Sequence, residues 1–113
     1  MAELAIEVTG RPNGGRLLTL IGPLTLNTLF DFQDIVRKVH TDLILDLAAV
    51  PYMDSAGLGA VLGAFASCQR NNHKFGLINV PDRVRTLFHV AHVDTILPVF
   101  SNAEEVEKQT AKA

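Results

Sequence analysis

Cysteine, long apolar runs and surplus positive charge are all scarce in this chain, and each scarcity removes a class of protein. Its one cysteine, Cys68, cannot close an internal disulfide, so a reducing compartment is the natural setting. Ten Lys and Arg against twelve Asp and Glu leave a formal charge of −2 and a pI near 6.0. That balance offers no bulk field to hold nucleic acid or anionic lipid, and direct nucleic-acid binding is not expected. The amino terminus, Met1-Ala-Glu-Leu-Ala-Ile-Glu, carries acid where a signal peptide needs basic charge. The longest uncharged run, positions 55–69, contains Ser, Cys and Gly and falls short of the roughly 20 apolar residues of a bilayer span. A cytoplasmic domain without membrane insertion is expected.

What is present suits a packed core. The 113 residues set a prior of one domain over 1–113, and 48% apolar content is normal for a folded one. Leu4, Ile6 and Val8 alternate with polar or small residues, the period of a half-buried strand. Gly10-Arg-Pro-Asn-Gly-Gly15 is dense in turn residues and should join that strand to a second over Arg16–Ile21 as a loose hairpin. Residues 26–39 place Leu29, Phe32, Val36 and Val39 at helical spacing, with Thr25 or Asn27 as the expected cap. Leu43–Leu47 is a short aliphatic strand, and a helix from Ser55 to about Asn71 follows the Pro51–Asp54 loop.

Phe75–Val80 is the fourth expected strand. Asp82 should cap a third helix, and Ile96–Phe100 forms a short last strand. Ser101-Asn-Ala-Glu104 matches a capping box opening a final helix, with 108–113 expected to fray. The order β-β-α-β-α-β-α-β-α predicts an α/β domain, its small mixed sheet of about five strands packed with about four helices.

The unusual stretch is 52–66, where a conventional stripe of Leu58, Val61, Leu62 and Phe65 alternates with Ala56, Gly57, Gly59, Ala60, Gly63 and Ala64. Each interior helical glycine costs about 1 kcal/mol relative to Ala, so close approach of the backbone must be worth something. Packing on the chain's own sheet is the expected reason for Gly59 and Gly63. Gly57 and Ala60, near Ser55, are expected to leave a bare surface for another protein or an anion. A serine at a helix start is ordinarily a cap. The same place offers free amides and the positive end of the helix dipole, so a phosphate on Ser55 could be accommodated with the fold intact. It would add about −1.5 to −2 charge beside Asp54 and repel a docked partner.

Met53-Asp-Ser-Ala-Gly-Leu-Gly-Ala-Val-Leu-Gly63 resembles the central motif of STAS domains, the bacterial anti-sigma-factor antagonists. Gly22-Pro-Leu-Thr25 is similar to the family's Gly-x-Leu-Asp segment before the first helix, and Leu45-Asp-Leu47 to its central strand. Val84-Arg-Thr-Leu-Phe88 and Ile96–Phe100 resemble its late helix and last strand. The resemblance implies partner switching. The unphosphorylated antagonist binds an anti-sigma factor that is also a serine kinase; the kinase phosphorylates the motif serine, here Ser55, and binding is lost until a phosphatase resets it. The implied partner surface comprises Pro23, Thr25, Asn27, Tyr52, Asp54, Ala56, Gly57 and Ala60, with no cofactor. Thr25 stands where the family often has Asp, removing one acidic contact. His92 stands where Gly usually ends the third helix, which demands a left-handed backbone or another ending.

Rival classes fit poorly. A nucleophile elbow needs Gly-x-Ser-x-Gly, and position 53 is Met. Gly57-Leu-Gly59-Ala-Val-Leu-Gly63 is one residue too long for a dinucleotide fingerprint. His89 and His92 have only Asp94 near them at ligand spacing, too few for zinc. The protein is therefore expected to be a kinase substrate and binding module, not an enzyme. The competing reading is a scaffold or signalling subunit of the same fold, in a stress-sensing assembly or lipid-transport system, without a sigma-factor role.

Overall fold

The opening strands pair as the turn-rich loop between them requires. In a computed structural model, which describes residues 3–109, β1 (Ala5–Gly10) and β2 (Arg16–Ile21) run antiparallel with Ala5 opposite Ile21 and Gly10 opposite Arg16. The loop closes on itself through Arg11 N–H to Gly15 O at 2.8 Å and Gly15 N–H to Asn13 Oδ1 at 2.9 Å. From β2 onward the strands are parallel: β2 to β3 (Leu43–Ala49), β3 to β4 (Phe75–Ile78) and β4 to β5 (Val99–Phe100). Sheet order equals chain order, β1-β2-β3-β4-β5. Parallel neighbours need crossovers, and these are α1 (Leu29–Lys38), α2 (Ser55–Arg70) and α3 (Asp82–Val90).

Strand alternation divides the core in two. Leu43, Leu45 and Leu47 of β3, with Leu18, Leu20, Phe75 and Leu77, point to the face covered by Phe32 of α1, Val61 and Cys68 of α2 and Phe88 of α3. Burial pushes the Cys68 thiol up to about 11, so it behaves as a small apolar filler. Ile44 and Ile78 point the other way, onto Ala103 and Val106 of α4 (Ala103–Glu107). α4 lies so close that a Cβ on Gly76 would meet Val106 Cγ2 at 2.5 Å and Phe100 Cδ2 at 2.8 Å.

Several boundaries shift for local reasons. α1 starts at Leu29, capped by the backbone of Thr28 instead of Thr25 or Asn27, because residues 25–28 form a tight turn. Pro81 precedes α3, so Asp82 is its first helical residue and not its cap. The predicted strand at 96–100 shortens to two residues because Ile96 and Leu97 N–H both turn back to Val93 O. Asn102, not Ser101, caps α4, its side chain accepting from Glu105 N–H at 2.9 Å. His92 takes the left-handed conformation at φ 60°, which ends α3 without glycine, and His89 Nδ1 lies 3.0 Å from Asp94 Oδ2. At the start of the segment expected to fray, Lys108 N–H bonds Glu104 O and Gln109 Nε2 donates to Phe75 O at 2.9 Å. Positions 110–113 of the expected tail lie outside the described residues.

Arg11, in the hairpin loop, holds the end of α4. Its Nε and Nη2 donate to both Glu107 carboxylate oxygens at 2.8 and 3.1 Å, and Nη2 reaches Glu104 at 3.3 Å. The Arg11 hydrogen bond holds the Glu107 carboxyl below its ordinary value of 4.5. A depressed carboxyl contributes stability above its unfolded pKa and loses it as pH falls through the folded value. Glu107→Gln should therefore lower stability at pH 7 and flatten the loss on acidification below about pH 4.5, as followed by urea melts across pH.

Candidate functional site

Two loops at the carboxyl ends of the neighbouring strands β2 and β3 build the site, and the backbone sews them together. Leu24 and Met53 form an isolated parallel bridge, with Leu24 N–H to Tyr52 O at 3.0 Å and Asp54 N–H to Leu24 O at 3.3 Å. Gly22, at φ 120°, turns the chain out of β2 where a Cβ would strike the Glu3 carbonyl oxygen. Thr28 is buried, and its hydroxyl donates to Pro23 O and accepts from Thr25 N–H, both at 2.9 Å. Thr25 Oγ1 in turn accepts from Asn27 N–H at 3.3 Å. The loop before α1 thus satisfies much of its own polarity.

Asp54 joins this loop to α2. One carboxylate oxygen accepts from Gly57 N–H at 2.8 Å, capping the helix, and the other accepts from Leu26 N–H at 3.0 Å. Ser55 is consequently not the cap but the first helical residue, exposed, and its hydroxyl forms no hydrogen bond among the described residues. The first turn of α2 carries no acidic side chain. Charge placed on Ser55 would meet the dipole's positive end and the Asp54 carboxylate together.

The glycines reverse the expected roles. Gly57 and Ala60 are buried, not a bare surface; a Cβ on Gly57 would land on the Leu24 carbonyl oxygen, so this glycine lets the helix start press against the loop. Gly59 and Gly63 are the exposed pair, and a Cβ on either would meet nothing within 4 Å. Among the other residues assigned to the surface, Tyr52, Asn27 and Ser55 are exposed, while Pro23, Thr25, Asp54 and Ala56 are half-buried. Two apolar residues escaped the sequence reading, Leu26 at 60% and Phe30 at 63% exposure. Phe30 lies off the α1 core stripe among charged residues, which is the signal that marks it. Gly63 also lines a groove of about 360 Å³ between α1 and α2 whose walls include Phe32, Ala64 and Cys68.

Among the described residues no group of three His, Cys, Asp or Glu side chains could hold a metal, and no helix is long and apolar enough to cross a membrane. The arrangement is a small mixed α/β sheet domain that presents a carboxylate-capped helix start and an exposed serine on a rigid double loop. The STAS domain family profile matches residues 5–106, and the chain belongs to that family.

Several of its relatives are described as anti-sigma factor antagonists. The chain is 25% identical over 87 residues to the anti-sigma-B factor antagonist of Staphylococcus aureus, covering 74% of this chain and 81% of that one. An anti-sigma factor antagonist from Mycobacterium paratuberculosis superposes with a TM-score of 0.76 at 16% identity, over 92% of this chain and 91% of that one. The Bacillus cell fate determinant SpoIIAA in its phosphorylated form superposes at 0.70 with 17% identity, over 92% and 98%.

The exchanged glycine roles predict effects of opposite sign. Gly57→Ala should destabilise the fold by about 1–3 kcal/mol through overpacking against backbone. Gly59→Ala should stabilise it by about 0.5–1 kcal/mol through helix propensity alone. Chemical denaturation of the two variants beside wild type checks both.

Proposed function

We propose that this chain is an anti-sigma-factor antagonist that binds an anti-sigma factor with serine kinase activity and is switched by phosphorylation of Ser55. The observation that carries this reading is the division of labour at the start of α2. Asp54 does the capping, which leaves the Ser55 hydroxyl exposed and without a partner among the described residues. A kinase can reach such a hydroxyl, and its modification breaks no hydrogen bond that the fold needs. The antagonists among its relatives support the class of partner.

The consequence of modification follows from charge. Asp54 occupies the amides of Gly57 and Leu26, so a phosphate on Ser55 would stand beside that carboxylate. It adds about −1.5 to −2 charge to a patch that includes the apolar side chains of Leu26 and Tyr52. A partner covering that patch would bury an unpaired charge, which weakens binding while the domain stays folded. Removal of the phosphate by a phosphatase restores the apolar patch. In this reading the surface comprises Pro23, Thr25, Asn27, Tyr52, Asp54, Ser55 and Ala56, with Gly57 and Ala60 supporting it from beneath. The chain supplies no catalytic group of its own and acts in the cytoplasm.

The test uses wild-type, Ser55→Ala and Ser55→Asp baits against host lysate, with captured proteins identified by mass spectrometry. An ATPase-type kinase retained by wild type and Ser55→Ala but lost with Ser55→Asp is the expected result. A charge buried at an interface commonly costs about 2–5 kcal/mol, so purified components should show at least about a 30-fold rise in Kd for Ser55→Asp. Equal retention by all three baits would overturn the switch and favour a scaffold role.

A further inference from the structure

The two edges of the sheet are not alike. β5 closes one with only two residues, whereas β1 sets six in line along the other. Short strands, bulges, Pro and Lys are the usual guards of an open edge. β1 contains neither Pro nor Lys, and its pairing with β2 runs through without a bulge. Hydrogen-bond direction shows which of its groups are free. Arg16 and Gly22 N–H donate toward β3, to Asp42 O and Ala49 O, both at 2.9 Å, so by the two-residue period Leu18 and Leu20 face β3 as well. Their partners across the hairpin, Val8 and Ile6, therefore turn N–H and C=O to the open edge, where nothing among the described residues takes them up. The side chain of Val8 is a second, independent observation. It stands opposite the fully buried Leu18, on the core face of the sheet, and yet is 50% exposed. Leu4 and Ile6 share that face and are only half-buried.

We propose that a second copy of this chain covers the edge, β1 pairing antiparallel with its counterpart about a two-fold axis at Ile6. The strand is complementary to itself in this register. Ile6 meets Ile6, Leu4 meets Val8, and on the other face Glu7 stands opposite Ala5 and Glu3 opposite Thr9. The free groups of Ile6 and Val8 then find partners, about six backbone hydrogen bonds form, and Leu4 of the second copy covers the exposed Val8. Neighbouring registers are opposed by charge. A shift of two residues sets Glu7 against Glu7 in one direction and Glu3 against Glu7 in the other, and like charges directly opposite destabilise a pair of strands. The contact closes on itself, because the joint sheet ends in the short β5 strands and association stops at two. The two-fold also places the two Ser55 surfaces, at the carboxyl ends of β2 and β3, at opposite ends of the joint sheet.

Sedimentation equilibrium of the purified full chain between about 1 μM and 1 mM should show a monomer–dimer equilibrium. Val8→Lys puts an edge guard at an exposed position, so the fold persists, as circular dichroism checks. The substitution enters each dimer twice and should raise the dimer Kd at least about tenfold. Register is read by cysteine pairing at the exposed positions 5 and 7. Ala5→Cys and Glu7→Cys, mixed under mild oxidation, should form a disulfide faster than either variant does alone. The buried Cys68, its thiol pushed up to about 11, stays silent in that assay. A monomer at every concentration overturns the proposal and leaves the edge to a strand of another protein. An unchanged Kd in Val8→Lys, growth beyond the dimer, or faster cross-linking of either cysteine variant with itself overturns it as well.

Discussion

The carboxylate of Asp54 is the interaction on which the site depends. It caps α2 through Gly57 and holds the neighbouring loop through Leu26, so one side chain fixes both walls of the surface. A capping side chain contributes about 1 kcal/mol to helix stability on its own account. Here it also frees the next residue from that task. Because Asp54 satisfies the helix start, Ser55 is exposed and carries no side-chain bond that the fold needs among the described residues.

Close backbone approach makes that arrangement rigid. Gly57 lies against the Leu24 carbonyl, Leu24 and Met53 bridge in parallel, and Thr28 locks the loop from within. The surface is thus presented by a framework with little freedom to rearrange, and preorganised surfaces lose less entropy on binding. Such a framework fits the proposed switch, which works by added charge. A phosphate would change what the surface repels, not the shape of the backbone beneath it.

Away from the site, an ion pair between segments distant in the chain secures the face where the core is thin. The face under α4 is small, built on Ile44, Ile78, Ala103 and Val106. Arg11 ties that short helix to the hairpin loop across the chain, and Lys74 Nζ donates to the Glu107 carbonyl at 2.7 Å. The larger face needs no such ties, since three crossover helices bury the leucines of β2, β3 and β4. An architecture secured by buried aliphatic pattern tolerates wide sequence change. Superposition at a TM-score of 0.76 with 16% identity fits that account.

Period and punctuation made the element order legible: alternation at Leu4–Val8, the aliphatic run at Leu43–Leu47 and helical spacing at Leu29, Phe32 and Val36 each mark their element. The Asp54-Ser55 pair within its glycine-rich motif likewise marked the candidate site. Local sequence could not say which neighbour would cap. Asp54, Thr28 and Asn102 displaced Ser55, Thr25 and Ser101 because capping depends on where the preceding loop delivers the chain. Nor could it assign the glycines. Gly57, Gly59 and Gly63 share one residue type and one helix, yet the approach of Leu24 buries the first and leaves the other two open. Sequence by itself determined the α/β order and the serine at the helix start, because hydrophobic period and turn chemistry are local. Tertiary structure alone decided which glycines of α2 are buried and which residue caps each helix, because those depend on segments distant in the chain.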